Sequence, residues 1–255
     1  MPSHPAAKHK ERMSGDRSCP LTVVIACHNE AGAIADVVRR CRAVCEPAAQ
    51  LLVVDDGSAD DTARIAEQAG AEVVRLSPNG GKGRALRAGF AASRGAWVAT
   101  LDGDGQDLPE ELPLLRAAAG PGIGLVIGSR FRGRLEPGAI RPINLAGNLG
   151  LTLLFDALYG RAISDSQAGF RLLDGDLARS LALRSSEYEI ETEVLARVLR
   201  LGWRAVEVPV TRRPRASGVT DFRTIANGMR ILGTMVRCRM DRVASCGLPA
   251  QPLDR

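Results

Sequence analysis

The chain has 255 residues, of which 45% are hydrophobic, so it can bury one substantial core and form one domain, or one and a fraction. No apolar run approaches the roughly 20 residues of a membrane-spanning helix, and the first residues lack the apolar segment of a secretory signal. The six cysteines form no CxxC pair, which favours free thiols over a metal site or disulfides. We therefore expect a cytoplasmic protein, either free or peripheral at the inner face of the cell membrane.

The formal net charge of +5 is distributed unevenly along the chain. From Arg200 to the end, eleven arginines stand against four acidic residues. This asymmetry suits an anionic partner, namely phosphates, a membrane surface or nucleic acid. A general preference for arginine explains the same pattern, because the chain contains only three lysines. Lys82 stands out for that reason.

In the first half of the chain, strands and helices are predicted to alternate at short spacing. Residues 1–20 are polar and without period, which predicts a disordered arm. The predicted strands cover 21–27, 51–54, 72–76 and 96–101, and the predicted helices cover 31–45, 59–69, 84–92 and 109–119. This order predicts an α/β fold with a mostly parallel sheet and helices on both faces.

In the second half the pattern is less regular. Predicted strands cover 124–128 and 205–210, the latter closed by Pro209, and predicted helices cover 144–159, 189–201 and 222–240. The Gly-, Pro- and Arg-rich stretch up to Pro142 is predicted to be a mobile loop. We expect one domain over 21–220, followed by a basic amphipathic helix and a tail over 221–255.

Two of these helices are candidates for contact with a membrane surface. The mixed polar content of the helix 144–159 favours a buried position. The helix 222–240 is the better interfacial candidate because it carries both arginines and apolar residues. The arginines that would meet anionic headgroups are Arg230, Arg237 and Arg239, and the residues that would enter them are Ile231, Leu232 and Val236.

Polar side chains follow each of the first four predicted strands. They are Glu30, then Asp55 and Asp56, then Lys82, and finally Asp102 with Asp104. Parallel sheets bind ligands outside the carboxyl ends of their strands, so these residues are expected at one edge. The sequence therefore predicts a ligand site there.

The segment Asp102-Gly103-Asp104 supplies two carboxylates on one side of an extended chain. Such hard oxygen donors suit Mg²⁺ or Mn²⁺, which also takes substrate phosphates. A plain acidic turn is the alternative for this motif alone. An EF-hand is excluded, because Asp107 and Pro113 stand where its loop needs Gly and Glu.

Two common phosphate-binding motifs are absent from the sequence. No GxGxxG follows the first strand, and Lys82 is followed by Gly83 where a Walker loop needs Ser or Thr. The turn 80–83 is therefore a flexible basic segment that contacts a pyrophosphate or merely precedes a helix.

Taken together, these motifs resemble the inverting nucleotide-sugar glycosyltransferases of the Rossmann-like GT-A fold, in particular dolichyl-phosphate mannose synthases and their bacterial polyprenyl-phosphate relatives. The resemblance runs from Leu21 to Leu232. It is carried by residues 26–30, 53–58, 80–90, 102–106, 128–131, 164–165, 169–171 and 207–210.

The resemblance implies a metal-dependent inverting transfer from a GDP- or UDP-sugar donor to a polyprenyl phosphate acceptor. It implies that the donor is held by Ala26, Glu30, one or both of Asp55 and Asp56, Lys82 and Asp102. The implied ligands of Mg²⁺ or Mn²⁺ are Asp102, Asp104 and Gln106, and the implied phosphate-binding residues are Arg130, Arg141 and Arg215. We assign direct parts in catalysis to Asp104, Arg130 and Glu191.

The identity of the acceptor stays open at this stage, with a lipid phosphate favoured. A polyprenyl phosphate needs no base, because its oxygen is already anionic near neutral pH. A hydroxyl acceptor would need one, and Glu191 falls where hydroxyl-glycosylating relatives carry a catalytic Asp. Glu193 falls where the lipid-phosphate branch has Glu. The alternative for Glu191 is an exposed helix position.

The sequence departs from the lipid-phosphate pattern in two ways. Asp221 stands about where those relatives have Lys, and their long C-terminal hydrophobic anchor is absent, so membrane contact would come from surface helices. A catalytically silent nucleotide-sugar-binding module is a second hypothesis. No nucleic acid partner is expected, because the basic segment lacks interleaved aromatic residues.

Overall fold

A computed structural model of the chain describes residues 19–215 and 224–241. The predicted arm before residue 19, the departure at Asp221 and the predicted tail after residue 241 lie outside the described residues. Within these two ranges, no helix is both long enough and apolar enough to cross a membrane.

Over the described residues, seven strands form one sheet in the order β3-β2-β1-β4-β6-β5-β7. The strands are β1 Leu21–Cys27, β2 Gln50–Asp55, β3 Glu72–Arg75, β4 Trp97–Asp102, β5 Ile123–Leu135, β6 Arg171–Asp174 and β7 Arg204–Arg212. Neighbouring strands are parallel except at β6, which runs antiparallel to both β4 and β5. The predicted α/β fold with a mostly parallel sheet is confirmed.

Helices cover both faces of this sheet. They are α1 Ile34–Val44, α2 Thr62–Gln68, α3 Lys82–Ala92, α4 Leu112–Ala118, α5 Pro142–Tyr159, α6 Gly175–Ser180, α7 Ile190–Arg200 and α8 Thr224–Met240. Successive residues of β1 enter two different cores: Val24 packs in the one that contains α3 and α7, and Ile25 in the one that contains α1 and α4. This alternation explains why the strand reads as a continuous apolar run.

The ends of β1, β2 and β4 meet at one edge of the sheet. Ala26 is in register with Asp102 of β4, and Cys27 is in register with Asp55 of β2. The chain order reverses between β1 and β4, and this is the point where open α/β sheets bind ligands. The polar residues that follow these strands are therefore brought together, as the sequence predicted.

The predicted mobile loop before Pro142 is partly a strand. β5 continues to Leu135, and its last residues pair with β7 after an irregularity in register. Likewise, β7 runs through Pro209 to Arg212. Because β7 is an edge strand, a proline without an N–H is tolerated inside it.

The helix α5 is largely exposed, so the expectation of a buried helix was wrong. Of its residues only Thr152 and Phe155 are buried, and α8 is its main packing partner. The Tyr159 hydroxyl donates to the Met235 carbonyl of α8 at 2.9 Å. Apolar residues of α5 lie on most sides of the helix, so the sequence did not reveal which side faces the core.

The helix α8 also differs in detail from its predicted orientation. Ile231, expected to enter lipid headgroups, is buried with Met235 and Cys238 against the core. Val236, which was also expected on that side, is exposed, and so are Ile225, Met229 and Met240. The helix is thus amphipathic, but Ile231 lies on the side that faces the core and not on the side expected to face lipid.

Candidate active site

A cleft of about 740 Å³ lies at the carboxyl ends of β1 and β4. It brings together nearly all residues that the sequence singled out. The predicted residues that line it are Ala26, Glu30, Asp56, Lys82, Asp102, Asp104, Gln106, Arg130, Arg141, Glu191 and Arg215. Asp55 is not among them; it accepts hydrogen bonds from the backbone and hydroxyl of Ser58.

Lys82 joins two carboxylates across the cleft. Its Nζ lies 2.6 Å from Asp102 Oδ1 and 2.8 Å from Glu191 Oε1. A glycine at 169 leaves room for this contact, since a Cβ there would lie 2.9 Å from the Nζ atom. Burial works to lower the pKa of Lys82, but the two carboxylates outweigh burial and raise it. Lys82 is therefore a fixed positive charge.

Arg212, at the end of β7, lies among three aspartates. Its Nη1 is 2.6 Å from Asp107 Oδ1, and its Nη2 is 3.7 Å from Asp102 Oδ2 and 3.9 Å from Asp104 Oδ2. Nη2 also donates to Gln106 Oε1 at 2.9 Å. Arg212 could not be singled out from the sequence, because it stands among many arginines and its closest partner, Asp107, is distant in the chain.

Arg215 connects the carboxylate after β1 with the carboxylates after β4. Its Nη1 donates to Glu30, and its Nη2 lies 3.2 Å from Asp104 Oδ2. The predicted phosphate-binding arginine thus already occupies a position between a predicted donor-binding residue and a predicted metal ligand.

These ion pairs form one connected network, which we call the sheet floor. Its carboxylates are Glu30, Asp102, Asp104, Asp107 and Glu191, and its cations are Lys82, Arg212 and Arg215. Five carboxylates against three cations leave a formal charge of −2. The sheet floor therefore carries a negative formal charge.

The pKa directions in the sheet floor agree with this imbalance. Burial works to raise the pKa of Asp102, but Lys82 and Arg212 outweigh it and hold the value at about 2. For Asp104 and Glu30 burial dominates and raises the pKa, although Arg212 and Arg215 oppose the shift. Asp102 is thus firmly ionised, whereas burial disfavours the charged forms of Asp104 and Glu30.

Asp102 and Asp104 are the residues of the sheet floor that could hold a divalent cation together with substrate phosphates. Among the described residues, no group of three or more His, Cys, Asp or Glu forms a ready metal site. Asp102 and Asp104 supply two carboxylates, and Mg²⁺ is often held by one or two carboxylates plus phosphates. Glu30 Oε2 and Glu191 Oε2 are buried and accept no hydrogen bond from described residues, so acceptors remain unsatisfied.

The side chain of Gln106 forms hydrogen bonds with backbone carbonyls beside the cleft. Its Nε2 donates to the Ala139 carbonyl at 3.1 Å and to the Arg213 carbonyl at 2.8 Å, while its Oε1 accepts from Arg212. The amide thereby ties the segment after β4 to the segments before α5 and after β7. For Gln106 to act as the predicted metal ligand, Oε1 would have to lose its hydrogen bond from Arg212.

The buried carboxylate of Asp165 holds the side chain of Arg130 in place. Asp165 accepts from Arg130 Nε and Nη2, both at 2.7 Å. The backbone N–H of Asp165 in turn donates to Glu207 Oε1 at 3.0 Å. The sequence showed Asp165 and Glu207 as parts of motifs without a role, and the structure shows that they fix the position of Arg130.

Glu191 lies at the start of α7 and is only 5% exposed, so an exposed helix position is excluded. Its backbone carbonyl accepts from Arg171 Nη1 at 2.6 Å. Arg171 also donates to the carbonyls of Ala168 and Ser166. Burial lowers the pKa of Arg171 to about 10, against the opposing effect of Glu191. A buried arginine thus anchors the helix that presents Glu191.

Asp56 holds the glycine-rich turn before α3 at the cleft. Its carboxylate accepts from the backbone N–H groups of Gly80 at 3.0 Å and Gly81 at 2.6 Å. Gly81 has a backbone φ of +91°, a conformation that residues with a side chain rarely adopt. A Cβ atom at this position would also collide with the Ser186 carbonyl. These contacts place Lys82, the first residue of α3, in the sheet floor.

Residues 22–179 match the model of the family described as glycosyl transferase family 2. The chain is 34% identical to glycosyltransferase AglJ of Haloferax volcanii, over 80% of this chain and 65% of that protein. It is 30% identical to undecaprenyl-phosphate 4-deoxy-4-formamido-L-arabinose transferase of Salmonella paratyphi A, over 84% of this chain and 65% of that protein. The chain thus spans slightly less than two thirds of the length of these relatives.

Among solved structures, glucosyl-3-phosphoglycerate synthase from Mycobacterium tuberculosis is similar with a TM-score of 0.72 and 24% identity. The match covers 98% of this chain and 86% of that one. That enzyme was crystallised with Mn²⁺, UDP and glucosyl-3-phosphoglycerate. At this identity the likeness shows the fold alone, and it confirms the predicted GT-A architecture.

Proposed function

Because the chain belongs to glycosyl transferase family 2, we propose that it transfers a sugar from a GDP- or UDP-sugar to a polyprenyl phosphate, with inversion. The observation that carries the proposal is the sheet floor, a network with a formal charge of −2 at the ligand-binding edge of the sheet. A nucleotide-sugar together with one divalent cation is the kind of ligand that such a network accommodates.

In this proposal the donor lies across the sheet floor. Ala26, Glu30 and Asp56 would contact the nucleoside, and the diphosphate would lie near Asp102 and Asp104. These two aspartates would hold Mg²⁺ or Mn²⁺, which supplies positive charge to the departing nucleoside diphosphate. A protein of similar fold was crystallised with Mn²⁺ and UDP, which supports a divalent cation and a nucleotide as the kinds of ligand proposed for this cleft.

The proposed chemistry is a single displacement. An oxygen of the acceptor phosphate forms a bond to the anomeric carbon while the bond from that carbon to the nucleoside diphosphate breaks. The acceptor oxygen is already anionic near neutral pH, since the second phosphate pKa is about 6, so no base is needed. Negative charge grows on the leaving group beside Lys82 and Arg215, and fixed cations are most effective there.

A hydroxyl acceptor with Glu191 as general base is the second candidate. It is favoured by one observation: Glu191 lines the cleft, and its Oε2 accepts no hydrogen bond from described residues. The ion pair with Lys82 offers another explanation, in which Glu191 only positions that lysine. The relative named for transfer to undecaprenyl phosphate supports the lipid phosphate.

A polyprenyl phosphate acceptor implies that the protein works at a membrane surface. The exposed apolar residues of α5 and α8 support peripheral contact, and these include Leu149, Leu153, Val236 and Met240. We therefore infer a peripheral association at the inner face of the cell membrane, made by helix surfaces.

The proposal is tested by incubating purified protein with UDP- and GDP-sugars and Mn²⁺ or Mg²⁺, with and without a short polyprenyl phosphate. We expect release of nucleoside diphosphate and formation of a lipid-linked sugar only when metal and polyprenyl phosphate are both present. Metal-dependent nucleotide binding without any transfer would instead support the non-catalytic module. Transfer to alcohols alone would establish the hydroxyl acceptor.

A further inference from the structure

The helix α7 carries two buried carboxylates in its first turn, and only one of them belongs to the sheet floor. Glu191 lines the cleft and pairs with Lys82. Glu193 does not line the cleft, and its side chain is fully buried. A buried carboxylate is costly unless its oxygens are paired with hydrogen-bond donors or cations. The partners of Glu193 therefore determine what this buried charge contributes.

Glu193 binds the backbone of the loop that precedes α7, which consists of residues 184–187. Its Oε2 accepts from the N–H groups of Arg184 at 2.9 Å and Ser185 at 2.7 Å. Its Oε1 accepts from Arg197 Nε at 2.9 Å, one turn further along α7. Burial works to raise the pKa of Glu193, but these hydrogen bonds outweigh burial and lower it. The charged carboxylate thus fixes the 184–187 loop to α7.

The 184–187 loop in turn holds the backbone at the start of α3. The Ser186 carbonyl accepts from the N–H group of Gly83 at 2.8 Å, and this is one of the first N–H groups of that helix. The loop and the helix are in close contact, because a Cβ atom at Gly83 would lie 2.6 Å from the Ser185 carbonyl oxygen. Lys82 directly precedes Gly83, so its backbone is held against the loop.

The helix α7 therefore holds Lys82 at both ends of that residue. At the end of the side chain, Lys82 Nζ is 2.8 Å from Glu191 Oε1. At the backbone, the residue after Lys82 is bound by the loop that Glu193 fixes. A lysine ammonium is a point charge on a flexible four-carbon stem, so its position depends on both contacts.

We propose that Glu193 is a positioning residue for Lys82. Through the 184–187 loop it fixes the backbone from which the ammonium group reaches the phosphates of a nucleoside diphosphate. This inference rests on the proposed function, in which Lys82 is beside the departing nucleoside diphosphate, and deepens it by adding a residue outside the cleft. A misplacement of about 1 Å by a change far from the reacting atoms can cost roughly a hundredfold in rate, so a remote carboxylate can control this site.

The test is the binding of UDP and GDP in the presence of Mn²⁺, measured by calorimetry, with circular dichroism to confirm that each variant is folded. Glu193→Gln keeps the shape of the side chain but replaces one acceptor oxygen by an NH₂ group, so hydrogen bonds to the loop are lost. We expect the dissociation constant of the nucleotide that the wild-type protein binds more tightly to rise about tenfold. Lys82→Gln, which removes the charge itself, should raise it at least as much.

The double variant Lys82→Gln/Glu193→Gln separates positioning from a purely structural role. If Glu193 acts through Lys82, Glu193→Gln should change the dissociation constant by less than about twofold once the lysine charge is gone. If Glu193 only stabilised the fold, Glu193→Gln would weaken nucleotide binding by the same factor in both backgrounds.

Asp174→Ala is the matched control for the loss of a carboxylate that binds backbone. Asp174 accepts from the Leu177 N–H group at 2.9 Å at the start of α6, outside the cleft. The variant should lower the urea concentration at which half of the protein is unfolded, but it should leave the dissociation constant of the nucleotide unchanged.

Gly83→Ala decides the outcome if Glu193→Gln does not fold. Its added Cβ would press on the Ser185 carbonyl and move the 184–187 loop away from α3. We expect weaker nucleotide binding in this variant too, and the effect should again disappear when Lys82 is replaced by Gln.

The results distinguish the two proposals. If the wild-type protein binds UDP or GDP with Mn²⁺, but Glu193→Gln has no effect or has the same effect with and without Lys82, the positioning role is wrong and the proposed function stands. Nucleotide binding by Lys82→Gln as tight as that of the wild-type protein would also overturn the positioning role, because Lys82 would then not contact the donor. A wild-type protein that binds neither nucleotide overturns both.

Discussion

In the sheet floor each cation contacts at least two carboxylates. Another part of the cleft, its helical side, is formed by α5, the turn before it and α8. There Arg141 has no acidic partner among the described residues, and Arg230 Nη1 lies 3.8 Å from Glu187 Oε1. The sheet floor is built where parallel strands end, so its charges are fixed by a rigid sheet. The helical side is formed by α5 and α8, and the hydrogen bonds of Tyr159 to Met235 and of Arg239 to Leu158 join these helices toward their C-terminal ends. The difference shows that one cleft can combine a side whose cations are fixed by several ion pairs with a side whose cations are paired little.

The largest expected effect comes from breaking the sheet floor at Asp104. Asp104→Asn removes one of the two carboxylates proposed to hold the metal, so we expect turnover to fall by about a thousandfold or more. Calorimetry should show that Mn²⁺ no longer strengthens the binding of UDP or GDP. Asp176→Asn, at an exposed position outside the cleft, is the control. Unchanged turnover in Asp104→Asn would contradict the role of the sheet floor.

The second prediction concerns the stability of the sheet floor. Lys82→Met leaves the carboxylates of Asp102 and Glu191 without their shared cation, and losing one partner of a buried pair costs about 3 kcal/mol. We expect the free energy of unfolding, measured with urea at neutral pH, to fall by about that amount.

The matched comparison for Lys82 is an exposed ion pair. Arg75→Met breaks the contact of Arg75 with Glu67, which is open to solvent, and should cost less than about 1 kcal/mol. The double variant Lys82→Met/Glu191→Gln should lose less than the sum of its single variants, since one unpaired carboxylate is removed. Equal losses in the Lys82 and Arg75 variants would show that the network contributes no more than surface charges do.

A third, smaller effect is the pH dependence that Asp102 contributes. Lys82 and Arg212 hold its pKa at about 2 in the folded protein, against about 3.9 in an unfolded chain. A lowered pKa contributes stability that is present above the unfolded value and is lost as the pH falls from about 4 to 2. The contribution is about 2.6 kcal/mol at neutral pH.

The measurement compares wild-type protein and Asp102→Asn by urea unfolding between pH 7 and the lowest pH at which both fold. The difference in free energy of unfolding between the wild-type protein and Asp102→Asn should become smaller as the pH falls below about 4. A difference that stays constant down to that limit would mean that the ion pairs of Asp102 do not stabilise the fold.

Much of the sheet floor could be predicted because its residues follow strands that are readable from their β-branched runs. Glu30, Asp56, Lys82 and Asp102 each come after such a strand, and parallel strand ends meet at one edge. Local sequence thus determined which of these side chains meet.

The parts that could not be predicted depend on contacts between distant segments. Arg212 meets Asp107 only because β7 continues past Pro209, and the sequence suggested that β7 stops there. The antiparallel β6 is a four-residue strand inserted between β4 and β5, too short to show a pattern. The exposed face of α5 escaped prediction because apolar residues occur on most sides of this helix and did not show which side would remain uncovered.

The smallest effect sharpens the comparison by changing the charge of the sheet floor itself. Arg212 lies 3.7 Å and 3.9 Å from the two aspartates that would hold the metal, so its positive charge opposes a divalent cation there. Arg212→Met takes the formal charge of the network from −2 to −3, and we expect Mn²⁺ to bind about tenfold more tightly in the absence of nucleotide. Binding is followed by calorimetry, with circular dichroism to confirm that the variant is folded.

Arg213→Met is the neighbouring control, because Arg213 pairs with Glu136 outside the network and its loss should leave Mn²⁺ affinity unchanged. Weaker binding of Mn²⁺ by folded Arg212→Met would mean that Arg212 mainly orients the aspartates, because its hydrogen bond to Gln106 and ion pair with Asp107 would then matter more than its charge.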